Sequence, residues 1–325
     1  MRVVDNLSIV IPVYNSERTL PVLVSQLVQI LPTLSSFYEV ILVNDGSRDC
    51  SWEVICALAE EYDWLHGINL MRNYGQHNAL LCGIRAARYD VILTMDDDLQ
   101  NPPEEIQQLL KKLIEGYDVV YGTPHTEQHG FWRDAASQIT KLALQSVMGA
   151  DIARKVSAFR AFRSHLRDAF SEYRSPFLCL DVLLTWGTTR FAAIVVRQDQ
   201  RKLGKSNYNF IKLFTHALNM MTGFGTLPLR IASLVGFAFT FFGMGVLIYV
   251  VGRYFLLGYS VPGFPFLASI TAIFAGAQLF SLGIIGEYLA RMHFRSMEKP
   301  PYAAIGRTSR RTVKDSIVIN KAITP

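Results

Sequence analysis

The chain has 325 residues, of which half are hydrophobic and 18% are charged, and its net charge is +5. Folded soluble domains are usually about a quarter charged, and disordered chains are richer still in charged and polar residues. This composition therefore excludes a disordered chain. The segment from Glu287 to Pro325 holds eight Lys or Arg against three Asp or Glu and therefore carries the whole net charge. The rest of the chain is neutral, so we expect no nucleic-acid partner.

The first 125 residues alternate strand-like and helix-like patterns. Apolar, β-branched runs predict strands, and apolar residues spaced three or four apart predict the helices between them. The predicted strands are residues 7–13, 40–43, 68–71, 91–95 and 119–121. The predicted helices are residues 20–27, 52–62, 76–88 and 102–116. Continuous apolar strands that alternate with helices indicate an α/β fold with a mostly parallel sheet covered on both faces.

The chain continues with a predicted helix at residues 132–148, a less regular region and a predicted strand at 192–196. Residues 209–221 interleave apolar and polar side chains, which is typical of a juxtamembrane amphipathic helix or of a helix packed on the domain. We therefore divide the chain into four parts. They are a cytoplasmic domain (1–208), a juxtamembrane helix (209–228), a membrane hairpin (229–288) and a basic cytoplasmic tail (289–325).

Two long uncharged segments indicate the membrane hairpin. No charged residue occurs between Arg230 and Arg253, or between Arg253 and Glu287, and these gaps hold 22 and 33 residues. About 20 apolar residues cross a bilayer, so we predict spans at about 231–251 and 266–286. Basic residues precede the first span and follow the second, and the positive-inside rule then places both termini in the cytoplasm.

Three carboxylates, Asp96, Asp97 and Asp98, directly follow the fourth predicted strand. Like charges this close repel one another unless a cation neutralises them. In an extended segment Asp96 and Asp98 point to the same side, and Gln100 reaches that side as well. This set of hard oxygen ligands suits Mg²⁺ or Mn²⁺ that also takes phosphate oxygens from a substrate. The alternative is an acidic turn exposed to solvent.

Other polar or aromatic residues follow the remaining strands. Asp45 ends the second strand and could accept hydrogen bonds from a nucleobase or a ribose, or could simply form a turn. Tyr14 and Asn15 end the first strand, and Gln76 follows the third. Ligands of parallel sheets bind at the carboxyl ends of the strands, so we expect these side chains to meet in one crevice.

Several strings in this order resemble those of a known enzyme family. IVIPVYN, VNDGS, RNYGQHNALLCGI and DDDLQNPPEEI are similar to motifs of the inverting family-two glycosyltransferases of GT-A fold. The two spans, with GAQLFSLGIIGEYLAR ending the second, resemble those of polyprenyl-phosphate glycosyltransferases. That group includes bactoprenol glucosyltransferases, undecaprenyl-phosphate 4-deoxy-4-formamido-L-arabinose transferases and, more distantly, dolichol-phosphate mannose synthases. The resemblance extends from about residue 7 to residue 302.

The resemblance implies a Rossmann-like GT-A domain that binds a nucleotide sugar, UDP-linked in our expectation, and transfers its sugar to undecaprenyl phosphate. The donor-binding residues that it implies are Pro12, Tyr14, Asn15, Asp45, Gln76, Asp96 and Asp97. The implied ligands of Mg²⁺ or Mn²⁺ are Asp96, Asp98 and Gln100. It further implies a homo-oligomer, with a tetramer as one form. The implied location is the bacterial inner membrane. The implied use of the lipid-linked sugar is cell-envelope glycan synthesis or lipopolysaccharide modification.

The acceptor in such a reaction is a phosphate, which is already anionic, so the reaction needs no strong general base. It does need cationic side chains to hold the phosphate near an acidic site. The candidates for acceptor binding are Arg133, Arg160, Arg201, Lys205 and Ser206. Of these we expect the three arginines, together with Asp98, to act in catalysis. Each arginine could instead form a surface ion pair.

Two rival functions fit parts of the same pattern. A processive polysaccharide synthase shares the fold, but such enzymes usually have more spans and a Gln-x-x-Arg-Trp motif, which this sequence lacks. A non-catalytic membrane scaffold with a degenerate transferase head is the rival from another class. Nucleotide binding that a chelator abolishes would separate an active head from a degenerate one.

Overall fold

The computed structural model describes residues 2–124, 155–175, 178–199, 227–257 and 263–308. These residues contain an eight-stranded mixed sheet. Its strands are β1 (Val4–Val13), β2 (Ser35–Asn44), β3 (Leu65–Leu70), β4 (Val91–Thr94), β5 (Val119–Pro124), β6 (Arg160–Arg163), β7 (Phe191–Val196) and β8 (Ala304–Thr308). They lie side by side in the order β7-β5-β6-β4-β1-β2-β3-β8. The pairs β1–β2, β2–β3, β1–β4 and β5–β7 are parallel, and β6 and β8 run antiparallel to their neighbours.

The helices of the described residues are α1 (Leu20–Leu34), α2 (Ser51–Glu61), α3 (Gln76–Ala86), α4 (Ile106–Ile114), α5 (Leu180–Gly187), α6 (Leu227–Leu257) and α7 (Gly263–Ser296). The predicted strands and helices of the first 125 residues are all present, and their ends differ from the predictions by up to seven residues. The predicted α/β fold with a mostly parallel sheet is confirmed.

Helices cover both faces of the sheet, because successive side chains of a strand point to opposite faces. In β1, Ile9 and Ile11 pack in a core with α1, α2 and α4, whereas Val10 packs in a second core with α3 and α5. In β2, Leu42 belongs to the first core and Val43 to the second. Because β1 runs parallel to β2 and β4, the carboxyl ends of these three strands lie at the same edge of a sheet that helices cover on both faces.

The helices α6 and α7 form the predicted hairpin and are longer than the predicted spans. Their most apolar stretches are Pro228–Arg253 and Ile273–Ser296, with mean hydropathies of 2.3 and 1.4. Phe239 packs edge-on against Phe274 across the hairpin, with the ring centroids 5.8 Å apart. Other large apolar side chains point outward, such as Leu256, which is 85% exposed. A surface this apolar is stable when it faces lipid rather than water.

The structure differs from the prediction after the second span. Residues 289–325 were expected to form a basic tail, but α7 continues to Ser296 and Ala304–Thr308 forms β8. β8 pairs antiparallel with β3 and so covers a strand that would otherwise expose an unpaired edge. The domain is therefore built from both sides of the hairpin. The predicted juxtamembrane helix lies outside the described residues, apart from the start of α6.

Candidate active site

A cavity of about 330 Å³ lies at the carboxyl ends of β1, β2 and β4. Its lining residues are Pro12, Val13, Tyr14, Asp45, Asn73, Gly75, Gln76, Asp96, Asp97 and Asp98. The parallel pairing of β1 with both β2 and β4 brings these strand ends to the same edge. Seven of the lining residues are those that the sequence predicted to meet. Asn73 and Gly75 were missed individually, although the string that contains them, RNYGQ, carried part of the resemblance.

Asp45 connects the turn after β2 to the loop between β3 and α3. Its buried carboxylate accepts hydrogen bonds from the backbone N–H groups of Tyr74 (2.7 Å) and Gly75 (2.9 Å). Burial raises the pKa of Asp45, and the two N–H donors act in the opposite direction. Gly46 makes this contact possible, since its φ is +63° and a Cβ there would lie 2.5 Å from the carbonyl carbon of Arg72.

The three carboxylates after β4 are half-buried, and each is held by a different group. Asp96 accepts a hydrogen bond from Gln76 Nε2 (2.7 Å), and Asp97 accepts one from the backbone N–H of Tyr14 (3.3 Å). Burial raises the pKa of Asp97 to about 6, and the neighbouring charge of Asp98 adds to the rise. The cavity therefore concentrates negative charge that a bound cation would relieve.

The chain turns sharply directly after Asp98. Leu99 has a φ of 61°, in the left-handed region that costs a non-glycine residue about 1–3 kcal/mol. Its side chain is buried in the core beneath, which holds the turn in place. The backbone N–H of Gln100 donates to Asp98 Oδ1 (3.1 Å), so the turn also orients that carboxylate. The sequence gives no sign of this backbone conformation, because leucine rarely adopts it.

The donor atoms of the cavity fit a divalent cation that shares its coordination with a substrate. Asp96 and Asp98 both line the cavity and offer hard oxygen ligands. Within the described residues, no group of three or more His, Cys, Asp and Glu side chains is arranged to hold a metal. Gln100 does not line the cavity, and its carbonyl oxygen accepts a hydrogen bond from the backbone N–H of Asp199 (2.9 Å). The structure thus shows a supporting backbone role for Gln100, and its ligand role stays a prediction.

Asn15 stands beside the cavity and does not line it. Its φ is 56°, its side-chain Oδ1 accepts from the backbone N–H of Arg48 (2.8 Å), and its own N–H donates to Ser47 Oγ (3.0 Å). These bonds fasten the end of β1 to the turn after β2. Asn15 therefore shapes the cavity indirectly.

The surroundings of Arg160 oppose its predicted role in acceptor binding. Arg160 lies on β6, is only 1% exposed, and its guanidinium group pairs with the carboxylate of Asp181 on α5. Its Nε donates to Thr94 Oγ1 (3.1 Å), and the hydroxyl of Tyr121 donates to Asp181 Oδ1 (3.0 Å). The sequence prediction missed Asp181, which lies 21 residues further along the chain. A phosphate cannot reach a guanidinium group enclosed in this way.

The other acceptor-binding candidates, Arg133, Arg201, Lys205 and Ser206, lie outside the described residues. Their roles stay predictions.

A second, larger cavity of about 670 Å³ lies between the domain and the end of α7. Its walls include Tyr173, Trp186 and Arg295, and its charges are mixed, with Arg174 beside Glu298. It lies away from the strand ends and from the acidic turn. Since nucleotide ligands of parallel sheets bind at strand ends, the smaller cavity is the better candidate for the active site.

Comparison with known proteins agrees with this choice. Residues 8–173 match the profile of Glycosyl transferase family 2, a range that contains every lining residue of the smaller cavity. The undecaprenyl-phosphate 4-deoxy-4-formamido-L-arabinose transferase of Shewanella sediminis is 38% identical over 304 residues, which cover 92% of this chain and 91% of the relative. The Aeromonas hydrophila protein of the same name is 36% identical over 300 residues, covering 91% of each chain.

Among solved structures, glucosyl-3-phosphoglycerate synthase from Mycobacterium tuberculosis, in complex with Mn²⁺ and UDP-glucose, superposes with a TM-score of 0.49 at 16% identity. The match covers 67% of this chain and 77% of that one. The family match spans half of the chain, and the curated relatives exceed 30% identity over nearly all of it. The chain therefore belongs to glycosyl transferase family 2.

Proposed function

We propose that this glycosyltransferase moves a sugar from a UDP-linked donor to undecaprenyl phosphate at the cytoplasmic face of the bacterial inner membrane. The observation that carries the proposal is the convergence of Asp45 and the carboxylates of Asp96, Asp97 and Asp98 in one cavity. The same chain contains two helices long and apolar enough to cross a membrane. Relatives that match this chain over about nine-tenths of its length are named for undecaprenyl phosphate and 4-deoxy-4-formamido-L-arabinose, so that sugar is the first donor to test.

The cavity offers different chemistry for the two ends of the donor. Tyr14 is 40% exposed at the cavity and provides an aromatic surface for the nucleoside, and Asp45 provides carboxylate oxygens beside it. Asp96 and Asp98 form the acidic end, where Mg²⁺ or Mn²⁺ would bind. When bound, such a cation offsets the negative charge that develops on the departing diphosphate.

The reaction is a displacement at the anomeric carbon. An oxygen of the acceptor phosphate forms a new bond to that carbon while the bond from the carbon to the donor diphosphate breaks. The nucleoside diphosphate leaves, and the configuration of the anomeric carbon is inverted. The acceptor oxygen is already anionic, so no side chain has to remove a proton. This explains why the described part of the cavity can be rich in carboxylates without presenting a histidine among its lining residues.

The two apolar helices support a reaction at the membrane, where the lipid acceptor lies. We propose that α6 and α7 cross the inner membrane with both termini in the cytoplasm, because basic residues flank the pair on that side. We also propose that the chain assembles into a homo-oligomer. The lipid-linked product would serve cell-envelope glycan synthesis or lipopolysaccharide modification.

A transfer assay tests the proposal. The full chain, purified in detergent, is mixed with undecaprenyl phosphate, Mn²⁺ and each of a set of radiolabelled nucleotide sugars, beginning with UDP-linked 4-deoxy-4-formamido-L-arabinose. We expect one lipid product that carries a single sugar and that disappears with EDTA or without the acceptor. Products that carry many sugars would support a processive synthase. The absence of any labelled lipid with every donor would contradict the proposal.

A further inference from the structure

The residues that follow the second membrane helix are joined to the edge of the catalytic sheet. β8 pairs with β3 from Gly67 opposite Thr308 to Leu70 opposite Ala304. Two further hydrogen bonds extend this contact. The N–H of Gly67 donates to Thr308 Oγ1 (2.6 Å), and the N–H of Met71 donates to the carbonyl oxygen of Ala303 (2.9 Å). We call residues 302–308 the C-terminal clasp.

The clasp ends where the loop of the cavity begins. Residues 71–75 form the β3–α3 loop, whose members Asn73 and Gly75 line the cavity. The loop contributes the two N–H groups that hold the carboxylate of Asp45. Because the bond from Met71 to the clasp lies only three residues before Tyr74, the clasp fixes the point at which this loop leaves the sheet.

The clasp also contacts α3, the helix that follows the same loop. The half-buried Tyr302 forms a hydrogen bond with the Cys82 side chain, and the Arg85 guanidinium lies 5.9 Å from the centre of its ring. Both partners belong to α3, which begins with Gln76, the residue that donates to Asp96. The clasp thus contacts both β3, which precedes the β3–α3 loop, and α3, which follows it.

The connection to the membrane helix is short. Only residues 297–301 lie between the end of α7 at Ser296 and the start of the clasp. Each residue spans at most about 3.5 Å, so Tyr302 lies within about 20 Å of the helix end. Glu298, with a φ of 47°, turns the chain directly after the helix, and two prolines follow. This link leaves little freedom between the membrane helix and the edge of the sheet.

From this arrangement we infer that the C-terminal clasp is a positioning element of the enzyme. It holds the β3–α3 loop in the shape that supports Asp45, and it ties that loop to the second membrane helix. The inference rests on the proposed function only in that the cavity must bind the nucleotide-sugar donor. It explains why a segment beyond the membrane hairpin belongs to the catalytic sheet.

Two truncations test the inference in the full membrane protein. One ends at Thr308 and keeps the clasp, and the other ends at Lys299 and removes it. We expect removal of the clasp to accelerate hydrogen exchange in peptides that cover residues 67–76 by about tenfold or more. We expect the truncation at Thr308 to exchange like the full chain. Equal exchange in both truncations, or equal acceleration in both, would overturn the inference.

Hydrogen exchange does not depend on the sugar or the acceptor, so it separates this inference from the proposed function. If the full chain transfers no sugar but removal of the clasp accelerates exchange in residues 67–76, the proposed function is wrong and the inference about the clasp is supported. If the full chain is active but removal of the clasp leaves the exchange of residues 67–76 unchanged, the inference about the clasp is wrong and the proposed function is not affected.

Point variants extend the test to catalysis and remain usable if the shorter truncation does not fold. Tyr302→Ala should raise the KM for the donor by about tenfold, the effect of losing about 1.4 kcal/mol of binding energy, with kcat retained below the melting temperature. Tyr302→Phe, which keeps the ring, should recover most of that affinity. Ile305→Thr is the matched control, since Ile305 is 65% exposed on the same segment. A lower melting temperature with an unchanged donor KM in Tyr302→Ala would show a merely structural contact and overturn the inference.

Discussion

Replacing Arg160 by methionine tests whether this residue supports the fold or binds the acceptor. Arg160 and Asp181 are 1% and 4% exposed, and they form an ion pair between β6 and α5. Tyr121 also donates to Asp181, and Thr94 accepts a bond from Arg160. Arg160→Met removes the positive charge and leaves the carboxylate of Asp181 buried with two neutral partners, the Tyr121 hydroxyl and, at 4.0 Å, the Cys179 thiol.

Breaking a buried ion pair by removing one partner usually costs about 3–5 kcal/mol, because the other charge stays buried without compensation. For a domain of about 200 residues, each kcal/mol lowers the melting temperature by about 2–4 °C. The single variant should therefore melt about 6–20 °C lower. The double variant Arg160→Met/Asp181→Leu removes both charges. It leaves the Tyr121 hydroxyl without its acceptor, which costs about 1–3 kcal/mol, and also removes the weaker contact of the Cys179 thiol with Asp181.

The assay combines thermal unfolding with sugar transfer at a temperature below both transitions. We expect the double variant to recover much of the stability that the single variant loses and to transfer sugar to undecaprenyl phosphate. A double variant that is stable, binds the donor and transfers nothing would show that Arg160 acts on the acceptor. That result would refute the structural role that its burial indicates.

Three further predictions concern the cavity and the thiols. Asp98→Asn should abolish transfer without lowering the melting temperature, because it removes a proposed metal ligand and relieves repulsion within the acidic turn. Gly46→Ala should weaken donor binding and cost at least about 1 kcal/mol of stability, since its Cβ would meet the β3–α3 loop at a φ of +63°. Burial raises the pKa of Cys82 to about 11 and that of Cys179 to about 12, so both thiols stay protonated at pH 8. Mass spectrometry after iodoacetamide treatment at pH 8 should find the exposed Cys50 alkylated and these two unmodified. Modification of Cys179 in the folded chain would contradict its burial. Activity in Asp98→Asn, or a donor affinity in Gly46→Ala equal to that of the unaltered chain, would contradict the proposed roles of these residues in the active site.

The elements of the first 125 residues follow from local patterns, and they could be predicted for that reason. α1, for example, buries Leu20, Leu23 and Leu27, which recur at helical spacing in the sequence. β6 and β8 could not be found in this way. β6 is four residues long and carries an arginine at each end, and Arg160 is buried only because Asp181 meets it from a distant helix. β8 is a strand because it pairs with the edge of β3. Its own sequence, with basic residues around it, predicts a tail instead.

The cavity was predictable to the extent that parallel strands end at one edge. That rule alone predicts that Tyr14, Asp45 and the acidic turn lie together. It could not reveal which residues line the cavity and which support it from behind. Asn15 acts through hydrogen bonds with Ser47 and Arg48, and Gln100 acts through its backbone after the left-handed Leu99. The spacing of residues in the sequence does not indicate these contacts.

The most direct test of the account is to locate Mn²⁺ by anomalous scattering in crystals of the full chain grown with Mn²⁺ and UDP. The account predicts a manganese peak in the cavity of about 330 Å³, beside Asp96 and Asp98, with the nucleotide in the same cavity. Nucleotide and metal bound instead in the larger cavity beside Trp186 would contradict it, as would the absence of a manganese peak beside a well-ordered nucleotide.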